Sequence, residues 1–122
     1  MGENKRVLCV EDHPDTCELI SHVLKEFEVI SAGTKSEALD VARSEKFALI
    51  LLDYHLPDGT GEEICHLIRS FDQRTPILFV TGSSQFTESR ARSIGAQGRL
   101  QKHHPEFTEE LRQRSRELAL ID

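Results

Sequence analysis

Five polar residues each follow directly on a short apolar run. Glu11 and Asp12 come after Val7 to Val10, Asp53 after Ala48 to Leu52, Thr81 after Ile77 to Val80, and Lys102 after Gly98 to Gln101. If these runs are neighbouring strands of one sheet, three carboxylates, a hydroxyl and an ammonium meet at one edge. Three carboxylates that close repel by roughly 4 kcal/mol per pair at about 4 Å and an effective dielectric of about 20. A cation or raised pKa values must relieve them. An all-oxygen site with open positions suits Mg²⁺ or Mn²⁺, which keep several waters and accept phosphate oxygens. The chemistry this serves is phosphoryl transfer. Asp53 acts as a carboxylate nucleophile and forms an acyl phosphate. The metal neutralises equatorial oxygens, Lys102 supplies a point charge and Thr81 a hydrogen bond. Taken singly, an acidic residue after a strand reads as a helix cap, and Asp12 and Asp58 fit that role. Only the joint pattern points to chemistry.

Those positions require a particular scaffold. Apolar runs alternate with helical patterns along the chain, which signals β-α-β units around a parallel sheet. The strand candidates are Val7 to Val10, Phe27 to Ser31, Ala48 to Leu52, Ile77 to Val80 and Gly98 to Gln101. Three are continuously hydrophobic, as strands covered on both faces should be, and the fifth reads as an edge. Cys17, Ile20, Leu24 and Phe27 recur at helical spacing after Pro14, which suits a first turn. Thr34 with Glu37, and Thr60 with Glu63, match the capping box and start the second and third helices. Ile64, Ile68 and Phe71 give the third helix its stripe; Phe107, Leu111 and Leu118 do so for the last, after Pro105. A fourth helix, around Thr87 to Ile94, is poor in apolar residues. Five such units predict an α/β, flavodoxin-like (βα)5 three-layer sandwich with a parallel five-stranded sheet in the order 2-1-3-4-5. Ligands of such sheets bind beyond the carboxyl ends of the strands, where the five polar residues fall.

The chain has 122 residues, enough for one domain with its own core, expected over residues 4–121. With 38% hydrophobic and 30% charged residues, no membrane-length apolar run and no signal-peptide pattern, it is expected to be soluble and cytoplasmic. The net charge of −6 disfavours direct binding to nucleic acid or anionic membrane. Cys9, Cys17 and Cys65 are widely spaced among apolar neighbours and read as reduced core thiols. The spacing of His13, His55, His103 and His104 matches no zinc ligand pattern.

Four segments carry a resemblance: V-E-D at 10 to 12, D-Y-H-L-P-D-G-T-G from Asp53 to Gly61, V-T-G at 80 to 82, and G-A-Q-G-R-L-Q-K from Gly95 to Lys102. Over essentially its full length the chain resembles the receiver domain of two-component response regulators, and the strand order above is that of a chemotaxis member of that family. Asp53, Pro57 and Gly61 keep the family's spacing of phosphoacceptor, turn proline and glycine. The resemblance implies that Asp53 takes a phosphoryl group from the phosphohistidine of a sensor histidine kinase or phosphotransfer protein. It implies that Asp12 and Asp53 bind Mg²⁺ through carboxylates, Glu11 through water and His55 through its main-chain carbonyl. Thr81 is then the switch hydroxyl, Lys102 the phosphate-binding lysine, and His55 and Ser83 the positions that tune loss of the phosphoryl group. Such a domain catalyses only its own phosphorylation and dephosphorylation, and acts on an output partner or attached effector domain. A homodimer through the fourth helix, fifth strand and fifth helix is the matching assembly.

Two positions depart from the family. Arg99 stands where an aromatic ring usually moves with the switch hydroxyl, and its guanidinium is expected to exchange between acidic partners instead. His103 follows Lys102 where proline with a cis bond is usual; a cis bond before a non-proline residue costs roughly 2.5 to 4 kcal/mol, so this loop is trans or strained. Two other function classes compete. A phosphatase or dehalogenase-like hydrolase would put its nucleophile after the first strand and carry a cap domain. A binding module that no longer accepts phosphate would take up no phosphoryl group.

Overall fold

The computed structural model describes residues 4–119; the expected domain limit at 121 lies outside the described residues. The chain runs β1 (Arg6–Val10), α1 (Pro14–Val23), β2 (Glu28–Ala32), α2 (Lys35–Ser44), β3 (Leu49–Leu52), β4 (His55–Leu56), β5 (Gly59–Thr60), α3 (Gly61–Arg69), β6 (Ile77–Thr81), α4 (Glu88–Ser93), β7 (Gly98–Gln101) and α5 (Phe107–Ala119). The main sheet is parallel in the order β2-β1-β3-β6-β7, which is 2-1-3-4-5 when only its own strands are counted. The α/β sandwich and its strand order agree with the sequence reading, and β7 lies at an edge.

Alternation along each strand divides the core into two layers. Leu8, Val10, Ile50, Leu52, Ile77 and Phe79 pack against Ala38 and Leu39 of α2, Ile64 and Ile68 of α3 and Ala91 of α4. Val7, Cys9, Leu49, Leu51, Leu78, Val80 and Leu100 pack against Ile20 and Val23 of α1 and Phe107 and Leu111 of α5. Since β3 has helices over both faces, all four of its residues are buried. Truncating one such Leu to Ala costs about 2–5 kcal/mol.

Local signals were accurate where they were self-contained. Pro14 opens α1, and Thr60 with Glu63 forms the full reciprocal capping box of α3. The box expected at Thr34 is incomplete. Thr34 Oγ1 accepts the Glu37 N–H at 3.1 Å, but the Glu37 carboxylate turns to the Gly33 N–H at 2.9 Å. Asp58 contributes the missing charge, accepting the Lys35 and Ser36 N–H groups at 2.6 and 3.1 Å. Phe27 lies beyond α1, which ends at Val23, and is buried just before β2. Phe71 lies beyond α3 and is 40% exposed, with the Arg43 guanidinium over its ring. Both residues keep helical spacing by number alone. The β4–β5 hairpin was not foreseen; it turns the chain from Asp53 into α3.

Candidate functional site

Main-chain hydrogen bonds extend the sheet one step past the strand ends and carry the polar residues with them. The Glu11 N–H donates to the Ala32 carbonyl at 2.9 Å, Asp53 to Val10 at 3.0 Å, and Lys102 to Thr81 at 2.9 Å. Each residue is thereby registered against its neighbouring strand, and the side chains converge. Gly61 closes the pocket from below: its N–H donates to the Tyr54 carbonyl at 2.6 Å, and a Cβ there would collide with the Asp53 carbonyl oxygen. That contact explains why glycine is needed eight residues after Asp53.

Glu11, Asp53 and Thr81 are 3%, 7% and 1% exposed, so the pocket holds carboxylates out of water. Lys102 Nζ lies 2.6 Å from Glu11 Oε1 and 3.4 Å from Asp53 Oδ1. Burial pushes the Asp53 carboxyl above the ordinary aspartate range, the Glu11 charge adds to this, and Lys102 and the Tyr54 N–H only partly offset it. Burial also acts to raise Glu11, but hydrogen bonds from Lys102 and His13 hold it below the usual range. For Lys102, burial favours the neutral amine, yet the two carboxylates hold its pKa above normal. One ammonium therefore serves two buried acids, Glu11 more fully than Asp53.

Asp12 and His13 complete the rim. One oxygen or nitrogen from each of Glu11, Asp12, His13 and Asp53 falls in a group with all atoms within 4.8 Å of one another. Asp12 is exposed and does not cap α1, whose N-cap is His13 without a side-chain bond. The cap reading thus fails for Asp12 and holds for Asp58, which caps α2. His13 Nδ1 lies 2.9 Å from Glu11 Oε2 and 3.3 Å from Asp12 Oδ1. Those acids raise its pKa, the Glu11 hydrogen bond first. Sequence reasoning missed His13 at this site; its position next to Asp12 and just before Pro14 was the available signal. Three carboxylates within this span, with Asp53 driven up by burial, form a donor set that fits a hard divalent cation such as Mg²⁺.

The remaining predicted residues stand on β4, β6, β7 and the loop after β6. Thr81 Oγ1 accepts the Ser83 N–H at 3.1 Å, leaving its own proton to donate, and Ser83 Oγ accepts the Gln85 N–H at 3.3 Å. His55 is exposed, edge-on to Tyr54 at 4.9 Å between ring centroids. Tyr54 in turn packs on Phe86, and Phe86 on Phe79. No peptide bond among the described residues is cis, so the Lys102–His103 link is trans. Leu100 faces the α1 and α5 layer, which turns Arg99 toward α4. Its Nε is buried and has no hydrogen-bond partner among the described residues, while its N–H donates to Glu88 Oε1 at 2.8 Å. Glu88 Oε2 also takes Arg92 at 3.0 Å and Arg114 at 3.3 Å. The acid beside Arg99 therefore engages its main chain and two other guanidinium groups.

The response regulator receiver domain family matches residues 7–119. The cell cycle transcriptional regulator CtrA of Caulobacter vibrioides is 35% identical over 82 residues, 66% of this chain and 36% of that protein. The probable transcriptional regulatory protein TcrX of Mycobacterium tuberculosis is 31% identical over 99 residues, 80% of this chain and 42% of that protein. The chain spans 36% to 42% of the length of these curated relatives. Among solved structures, the chemotaxis response regulator CheY4 of Vibrio cholerae is similar with a TM-score of 0.79 at 31% identity, covering 92% of this chain and 98% of that one. The response regulator TrrA of Thermotoga maritima, in complex with Mg²⁺ and BeF, gives a TM-score of 0.83 at 29% identity, covering 93% and 98%. No helix among the described residues is long and apolar enough to cross a membrane.

Proposed function

The chain belongs to the response regulator receiver domain family, and on that premise we propose that Asp53 is its phosphoacceptor, charged by the phosphohistidine of a sensor histidine kinase or phosphotransfer protein. The domain catalyses its own phosphorylation and dephosphorylation and turns over no separate substrate. The observation that carries this reading is the Lys102 ammonium shared between the buried carboxylates of Glu11 and Asp53. The Tyr54 N–H, at 2.8 Å, and Lys102 both engage Asp53 Oδ1, which leaves Oδ2 as the attacking oxygen. Lys102 already reaches the phosphoacceptor and needs only a small swing to meet a phosphoryl oxygen. Thr81 turns its free hydroxyl proton to another. Mg²⁺ or Mn²⁺, when bound, neutralises the charge on the transferred group. Asp12 and Asp53 would hold it by carboxylates, Glu11 through water, since its oxygens are engaged by Lys102 and His13, and His55 by its main-chain carbonyl. The His55 and Ser83 side chains tune loss of the phosphoryl group by controlling the approach of hydrolytic water.

Output passes from Thr81, at the end of β6, and Arg99 on β7, the two switch positions, to the face of α4, β7 and α5, where a second copy, an attached effector domain or another partner reads the change. The test is phosphoryl uptake from acetyl phosphate, followed by intact mass. Uptake is expected with Mg²⁺ or Mn²⁺ and lost on chelation. A binding-only module would gain no phosphoryl group under any of these conditions. A hydrolase would turn over phosphate monoesters and depend on Asp12 as nucleophile.

A further inference from the structure

We propose that His103 is a further phosphoryl-binding residue of this site, its Nε2–H donating to an oxygen of the group being transferred to Asp53. The inference rests on the phosphoacceptor reading and deepens it. Where His103 stands the family usually has proline, which carries no donor, so the contact belongs to this chain. His103 follows Lys102 at the end of β7, and Gly82 follows Thr81 at the end of β6. These strands are parallel neighbours with Thr81 opposite Gln101, and the Lys102 N–H bond to the Thr81 carbonyl, at 2.9 Å, holds their ends side by side.

Across that junction the imidazole lies against Gly82. A Cβ on Gly82 would stand 3.2 Å from His103 Nε2 and 3.4 Å from its Cδ2, so the ring presents its Nε2 edge to the loop that carries Thr81 and Ser83. The backbone does not require glycine here, since among the described residues only Gly95 has a positive φ. What position 82 lacks is bulk, and that lack admits the ring. The adjacent histidine is used differently: His104 Nδ1 accepts the Glu106 N–H at 3.1 Å and shapes the turn into α5. The His103 ring makes no hydrogen bond or ion pair among the described residues. Its donor is therefore free, one residue from Lys102 and against the residue after Thr81.

The transfer takes no proton from the ring. Asp53 Oδ2 attacks phosphorus and forms a new P–O bond, while the bond from phosphorus to the leaving oxygen breaks. That oxygen departs with the electron pair, as acetate when acetyl phosphate is the donor. The Nε2 hydrogen stays on the imidazole throughout and stabilises charge on a phosphoryl oxygen in the transition state. His103 is exposed, so water replaces part of what it supplies. Its loss should slow uptake by roughly tenfold, against the roughly hundredfold or more of a donor in a dry site.

The experiment follows phosphoryl uptake by intact mass over a range of acetyl phosphate concentrations with Mg²⁺. It compares wild type, His103→Ala, His103→Gln, Gly82→Ala and the double variant of Gly82→Ala with His103→Ala. In His103→Ala the maximal rate should fall by roughly tenfold with the half-saturating concentration unchanged, because the contact is made in the transition state. His103→Gln, whose terminal NH2 stands about as far along the side chain as Nε2, should recover most of the loss. Gly82→Ala displaces the ring, so it should slow the wild-type chain and add nothing when His103 is already alanine. Uptake by His103→Ala at the wild-type rate overturns the proposal. So does a loss that His103→Gln fails to recover, or a Gly82→Ala effect of equal size in both backgrounds. A wild type that gains no phosphoryl group overturns the phosphoacceptor reading and this inference with it, whereas the variant results overturn the inference alone.

Discussion

Asp53 and Glu88 are both carboxylates drawn partly out of water, yet their surroundings push them in opposite directions. At Asp53 burial and the Glu11 charge outweigh Lys102 and one N–H, and the acid is held above its ordinary range. At Glu88 burial also acts upward, but the Arg99 N–H, Arg114 and Arg92 outweigh it, and the acid is held below. Glu88 has more donors than it needs and ties α4, β7 and α5 together. Asp53 is left short of positive charge. A carboxylate saturated with donors serves structure, whereas one left short calls for a cation or a reaction partner.

Removing the shared cation breaks the comparison most strongly. Lys102→Ala leaves Glu11 and Asp53 buried without their ammonium and should cost about 3 kcal/mol in urea denaturation. Millimolar Mg²⁺ should restore part of the loss, because it binds only the folded pocket. Less than about 1 kcal/mol, with no Mg²⁺ response, would mean that the acids are not in tension. Next comes Arg99→Met, which removes a buried N–H that has no partner among the described residues and should stabilise the chain by about 1 kcal/mol. Glu88→Gln keeps one acceptor oxygen, replaces the other with an NH2 donor and loses the charge. Its side chain is 41% exposed, so water screens the pairs and the cost should be about 0.5 kcal/mol in the same assay.

The smallest effect has the most informative sign. Asp53 titrates higher in the folded chain than unfolded, so the native state binds more protons from the ordinary aspartate value, about 3.9, up to the raised one. Its contribution to stability is full below that window and is lost as pH rises through it. Glu88 is the reverse: its contribution is full above the ordinary glutamate value, about 4.3, and is lost as pH falls through the depressed one. With metal chelated, the stability of wild type minus Asp53→Asn should therefore fall with pH, and that of wild type minus Glu88→Gln should rise. Slopes of the same sign would dissolve the contrast.

The pocket was legible from sequence because its residues sit at fixed places in regular elements. Each follows an apolar run, and parallel register carries Glu11, Asp53 and Lys102 to one edge without any knowledge of side-chain contacts. What was not legible depends on where the chain bends. His13 reaches back to Glu11 only because its backbone is extended ahead of Pro14, and Asp58 caps α2 only because a hairpin brings it there. Phe27 and Phe71 keep helical spacing beyond the last helical turn, so periodicity alone overextended both helices. Arg99 is a recognisable departure, but its buried Nε, without a partner among the described residues, and the engagement of Glu88 by neighbouring arginines are tertiary facts.

Asp53 as phosphoacceptor is tested most directly by incubating wild type, Asp53→Asn and Asp12→Asn with acetyl phosphate and Mg²⁺ and measuring intact mass with peptide mapping. Wild type should gain one phosphoryl group on the peptide carrying Asp53, Asp53→Asn none, and Asp12→Asn the same adduct more slowly. An unmodified wild type, or a phosphoryl group that persists in Asp53→Asn, would contradict the account.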